Sequence, residues 1–144
     1  MNHRRLILVL TTMLLTLVLA GTARASDGVI VIAFEKDCPE YTCTETAASP
    51  VDVYTEITSG WLSGSVFHYT AMETLSSASG SVTVAFDGVL ILHRDPNLTT
   101  LNGTLTSGSW NGVDLTGAEV HASAIRVAGT TFAGSVQIMS ASGG

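Results

Sequence analysis

Val82-Thr83-Val84-Ala85-Phe86-Asp87-Gly88-Val89-Leu90-Ile91-Leu92-His93 decides the fold of this chain. Apolar and small polar residues alternate up to Phe86, and an apolar run follows Gly88. That period of two belongs to strands. An Asp-Gly pair supplies the positive φ that a two-residue hairpin turn needs. The pattern predicts two strands meeting at Asp87-Gly88. Val82, Val84, Phe86, Val89, Ile91 and His93 then share one face. Thr83, Ala85, Leu90 and Leu92 share the other, so the second strand reads as central and both Ile91 and Leu92 as core. The competing reading is one long strand with Gly88 as a bulge.

Strand patterns continue on both sides. Val29 to Glu35 is an unbroken apolar run, expected to be buried on both faces. The stretch from Cys38 to Pro50 reads as irregular. Val51, Val53, Thr55 and Ile57 alternate with Asp52, Tyr54 and Glu56, a half-buried strand with its acids outward. Trp61 to Glu73 reads as one long strand with Gly64 as a bulge, and Ser76 to Gly80 as a turn. Asp95-Pro96-Asn97 ends the central run. Leu98 to Thr106 is a strand, and Trp110-Asn111-Gly112-Val113 is a second hairpin candidate. Val113 to Val127 is one long strand or two short ones, and Phe132 to Met139 is the last. No segment carries apolar residues at helical spacing for three turns.

Glycine recurs inside these strands, as in Leu62-Ser-Gly64-Ser-Val66 and Phe132-Ala-Gly134-Ser-Val136. The spacing is too irregular for a solenoid. Glycine lets a sheet bend hard, as barrel corners require. The expected fold is therefore all-β: an antiparallel β-barrel or a two-sheet β-sandwich of about 7–9 strands. In outline it resembles the small secreted barrels of the lipocalin and streptavidin type, in architecture and not in motifs.

Residues 1–25 read as a secretory signal peptide. Arg4 and Arg5 precede an apolar run from Leu6 to Ala20, and Ala23-Arg24-Ala25 is a small-x-small cleavage site. The run falls short of the roughly 20 residues that span a bilayer. Ser26 is the expected mature N-terminus, with one domain over 26–139 and a disordered tail over 140–144. The protein is expected to be secreted, extracellular or periplasmic. Losing Arg4, Arg5 and Arg24 takes the net charge from -6 over 144 residues to -9 over 119. Only Lys36, Arg94 and Arg126 then remain positive. So acidic a chain is a poor partner for nucleic acid or anionic lipid, and no stable membrane insertion is expected after cleavage.

Cys38 and Cys43 are the two cysteines. An even count in an exported chain predicts one disulfide, here a local staple. Asp37, Glu40 and Glu45 surround the pair and would raise a thiol pKa, the wrong direction for a reactive cysteine.

Catalytic signatures are missing. The sequence holds no Gly-x-Ser-x-Gly, phosphate-binding loop, dinucleotide fingerprint or calcium loop. His68, His93 and His121 show no metal-binding spacing, so no metal or cofactor is expected. Trp61 and Trp110 stand at strand ends, where Trp packs against a barrel mouth or offers a stacking platform. Trp61, His93 and Trp110 are therefore the candidate ligand-binding residues. Asn97-Leu-Thr99 and Asn102-Gly-Thr104 fit the N-glycosylation sequon, which matters only in a eukaryotic host. The composite expectation is an exported, non-catalytic barrel or sandwich. It would bind a small apolar or sugar ligand, or act at the cell surface. The alternative is a barrel-type isomerase or hydrolase using scattered strand histidines and the carboxylates Glu56, Glu73 and Glu119.

Overall fold

The computed structural model describes residues 28–139. The signal-peptide and tail readings, over 1–25 and 140–144, lie outside the described residues. Nine strands follow in order: β1 (Val29–Asp37), β2 (Thr42–Glu45), β3 (Asp52–Ser63), β4 (Val66–Ser77), β5 (Gly80–Ile91), β6 (Leu98–Trp110), β7 (Val113–Asp114), β8 (Glu119–Ala128) and β9 (Thr131–Met139). There is no helix among the described residues.

Every pairing is antiparallel, and each strand pairs with its sequence neighbour except around the short β7. β9 returns to β1, and β5 pairs with β6, so eight strands close into an up-and-down barrel with β7 attached to β6. Closure removes the exposed edges that an open sheet would present. The interior is filled by alternate residues of each strand, among them Ile30, Ile32, Val84, Leu105, Val120, Val136 and Ile138. Burial of these side chains is the main favourable contribution to folding, at about 1.5–3 kcal/mol each.

β5 overturns the hairpin reading. The chain runs straight through Asp87-Gly88, and Gly88 is not among the positive-φ glycines. Twelve consecutive β5 residues pair with β4, and Gly88 stands between Tyr69 and Leu101 without a register shift. The irregularity of this strand lies at Thr83/Val84 instead. Because side chains alternate, removing the turn reverses the faces beyond it. Leu90 joins the inward set, Ile91 is half-buried on the outward parity, and Leu92 is 40% exposed beyond the strand end. The expectation that Ile91 and Leu92 both belong to the core is corrected accordingly.

Three other readings change. β1 is not covered on both faces: Ile30, Ile32 and Phe34 are buried while Val31 and Ala33 are half-buried. Gly64 is no bulge but the turn between β3 and β4, with φ +60°. The stretch after the disulfide loop contains β2, which bridges β1 and β3 over a few residues. The second hairpin candidate is present, with Asn111 and Gly112 at φ 51° and 78° and Trp110 paired to Val113.

The two barrel ends differ. Trp110, fully buried, closes one end with Leu115 and Ala118 from the β7–β8 connection. At the other end the β1–β2 loop, the β5–β6 loop and the β3–β4 and β8–β9 turns surround an opening.

Candidate functional site

The open end leads into a cavity of about 180 Å³. Its walls are apolar: Phe34 from β1, Ile57 from β3, Phe67 from β4, Leu90 from β5, Leu101 from β6 and Phe132 from β9. Two glycines make room for the β4 aromatics. A Cβ on Gly60 would lie 2.3 Å from Phe67 Cζ, and one on Gly88 would lie 2.6 Å from Tyr69 Cζ. The Phe67 and Tyr69 rings stack with centroids 5.9 Å apart.

A polar cluster is set into this apolar wall. Lys36 follows Ile30, Ile32 and Phe34 on the inward parity of β1, and Glu73 lies on that of β4 with Tyr69, Ala71 and Leu75. Lys36 Nζ donates to Glu73 Oε2 and, at 3.0 Å, to Thr55 Oγ1. Thr55 Oγ1 donates to Glu73 Oε2 at 2.6 Å. The Lys36 and Glu73 side chains are only 9% and 1% exposed, so neither charge is solvated and each depends on the other. An ammonium carries three protons. Two are used here, and the ammonium sits 4.8 Å from the Phe34 ring centroid.

Beside this triad, Thr99 Oγ1 donates to the Val89 carbonyl at 2.9 Å. Its single proton is thereby spent, so the Tyr69 hydroxyl donates to Thr99. Burial pushes the Tyr69 phenol up to about 12; the Thr99 hydrogen bond opposes the rise and the charge of Glu73 adds to it. Tyr69 is therefore a neutral hydroxyl across the ordinary pH range. At the mouth stand the exposed Arg126 and Glu40. The Arg126 guanidinium lies over the Phe132 ring, 5.5 Å from its centroid.

Cys38 and Cys43 form the expected disulfide, with their Cα atoms 4.2 Å apart, and both line the cavity. The staple holds the β1–β2 loop at the mouth. Trp61, His93 and Trp110 are not brought together. Trp61 pairs across strands with His68, and the rings stack 5.2 Å apart, outside the cavity. His93 lies on the exposed β5–β6 loop, and Trp110 plugs the closed end. His121 is on the outer face between Glu119 and Asn102. The three histidines therefore do not converge. Among the described residues no cluster of His, Cys, Asp and Glu could hold a metal ion.

Of the three carboxylates considered from sequence, Glu73 alone lies inside; Glu56 and Glu119 are exposed. Lys36, Thr55, Tyr69 and Thr99 were not singled out. Parity was the available signal, since Lys36 is two residues from Phe34 on an apolar face. The chain matches no family model, and no match was found among curated proteins or solved structures.

Proposed function

We propose that this chain is an exported barrel that binds a small, largely apolar molecule carrying one neutral hydrogen-bond acceptor, such as a carbonyl. The observation that carries this reading is the cavity with Lys36 in its wall. A dry apolar cavity of about 150 Å³ is enough to hold benzene, and this one is of that order. Phe34, Phe67, Leu90 and Leu101 suit a ring or a short branched chain. The third proton of Lys36 suits an acceptor oxygen.

Charge narrows the ligand. Lys36 and Glu73 neutralise one another, and the exposed Arg126 at the mouth lies over Phe132. A carboxylate carried past the mouth to Lys36 would meet a cation already paired with Glu73, which is costly in an apolar setting. A neutral carbonyl brings no charge. Export agrees with the reading of residues 1–25 and with a disulfide, which persists in oxidising compartments.

Ligand-detected NMR with acetophenone, toluene and benzoate tests the proposal. Acetophenone is expected to bind best, toluene more weakly, and benzoate least. Leu90→Trp, which fills the outer cavity, should abolish binding. Absence of acetophenone binding, or binding undiminished in the Trp variant, would overturn it.

A further inference from the structure

Lys36 is the sole lysine of the chain. It is buried, it lines a cavity, and its ammonium is held by a carboxylate that can accept a proton. We propose that Lys36 captures small aldehydes reversibly as an imine, an activity that rests on the cavity reading above.

The chemistry closes with the groups present. A proton moves from Lys36 Nζ to Glu73 Oε2, leaving a neutral amine and a neutral acid. Neither then carries charge in an apolar wall, which lowers the desolvation cost of the exchange. The amine lone pair forms a bond to the aldehyde carbon while the carbonyl π pair moves to oxygen. That oxygen takes a proton from the Thr55 hydroxyl, which Glu73 replaces with its own. The nitrogen next returns a proton to Glu73. Glu73 then protonates the hydroxyl through Thr55, the C–O bond breaks, water leaves, and the nitrogen lone pair completes the C=N bond. The product is a protonated imine with Glu73 as its counter-ion, plus one water. No oxidant or reductant enters.

Position supports the transfer from Lys36 to Glu73, and Thr55, which lines the cavity where Glu73 does not, relays the proton to the ligand. Glu73 Oε2 contacts Lys36 Nζ directly, and Thr55, hydrogen-bonded to both, holds the pair in place. An amine beside a confined carbonyl gains from proximity what a free amine in water lacks. The protonated imine inherits the counter-ion and the Phe34 ring that now face the ammonium. The surroundings fit a neutral aldehyde with a compact apolar body; benzaldehyde is the simplest probe.

Because Lys36 is the sole ε-amine, the test is unambiguous. The secreted chain is incubated with benzaldehyde and sodium cyanoborohydride, which reduces an imine to a stable secondary amine, and is mapped by mass spectrometry. The expected result is labelling at Lys36 at least about tenfold faster in the folded protein than in the urea-unfolded chain. Glu73→Gln should slow it, and Leu90→Trp should suppress it in a protein whose circular dichroism remains that of a barrel. Labelling confined to the α-amine, or Lys36 labelling no faster when folded, would overturn the proposal. Acetophenone binding by the same sample separates the two readings. Binding without labelling sinks covalent capture alone, and absence of both sinks the cavity reading with it.

Discussion

The ring of Tyr69 occupies the space that a side chain on Gly88 would need, with Cζ 2.6 Å from the position of a Cβ there. The two residues are direct partners across β4 and β5. Gly88 is thus required by a neighbouring ring and not by a turn. The same contact lets Tyr69 stand beside the cavity wall with its hydroxyl on Thr99.

Gly88→Ala should therefore displace Tyr69. A stability loss of about 1–3 kcal/mol, the range of an overpacked core, is expected in urea denaturation. Gly64→Ala meets no neighbouring atom, but its φ of +60° makes it strained by backbone alone. The two variants separate by Tyr69 absorbance, which Gly88→Ala should change and Gly64→Ala should not.

The Lys36–Glu73 pair yields a second prediction. Lys36→Met leaves Glu73 buried without its counter-charge and should cost about 3–5 kcal/mol. Replacing both, as Lys36→Met with Glu73→Leu, should restore most of that loss. Denaturation midpoints of the single and double variants decide this. A single variant as stable as the parent would contradict the buried pair.

Titration gives a third. The folded Tyr69 pKa is near 12, above the ordinary value of 10. A group that holds its proton more tightly when folded adds stability that is fully present below the unfolded pKa. Stability should accordingly fall as pH rises from about 10 to 12, where the unfolded chain has already lost the proton. Tyr69→Phe should remove the highest-pH absorbance step and the corresponding fall in stability. It should cost only about 1 kcal/mol at neutral pH, the lost hydrogen bond.

The fourth concerns the course of β5. Phe86→Ala, at a buried position of β5, should cost about 3–5 kcal/mol. Leu92→Ala, beyond the strand end and 40% exposed, should change stability by no more than about 0.5 kcal/mol. Severe loss at Leu92 would require the strand to continue inward past Ile91, against the observed topology.

Two similar turn signals show where sequence reading stops. Asn111-Gly112 makes the turn its residues favour, because the two-residue β7 can fold back on the end of β6 at little cost elsewhere. Asp87-Gly88 carries the same local preference and makes none. There the chain is held by paired ladders on both sides, and a turn would forfeit those to β4 and β6. Summed cross-strand bonds and packing outweigh one dipeptide's bias.

The sequence by itself determined the all-β class, the inward parity of Val51, Val53 and Thr55, the Cys38–Cys43 staple and the strand-breaking turns near Ser76–Gly80 and Asp95–Asn97. These depend on local period, turn chemistry and cysteine count, which are legible within a few residues. Closure into eight strands, and the meeting of Lys36, Thr55 and Glu73, were decided only by tertiary structure. Those three residues come from β1, β3 and β4, and their distance depends on strand stagger around the barrel. That stagger is set by the collective packing of the interior, which no local stretch of sequence encodes.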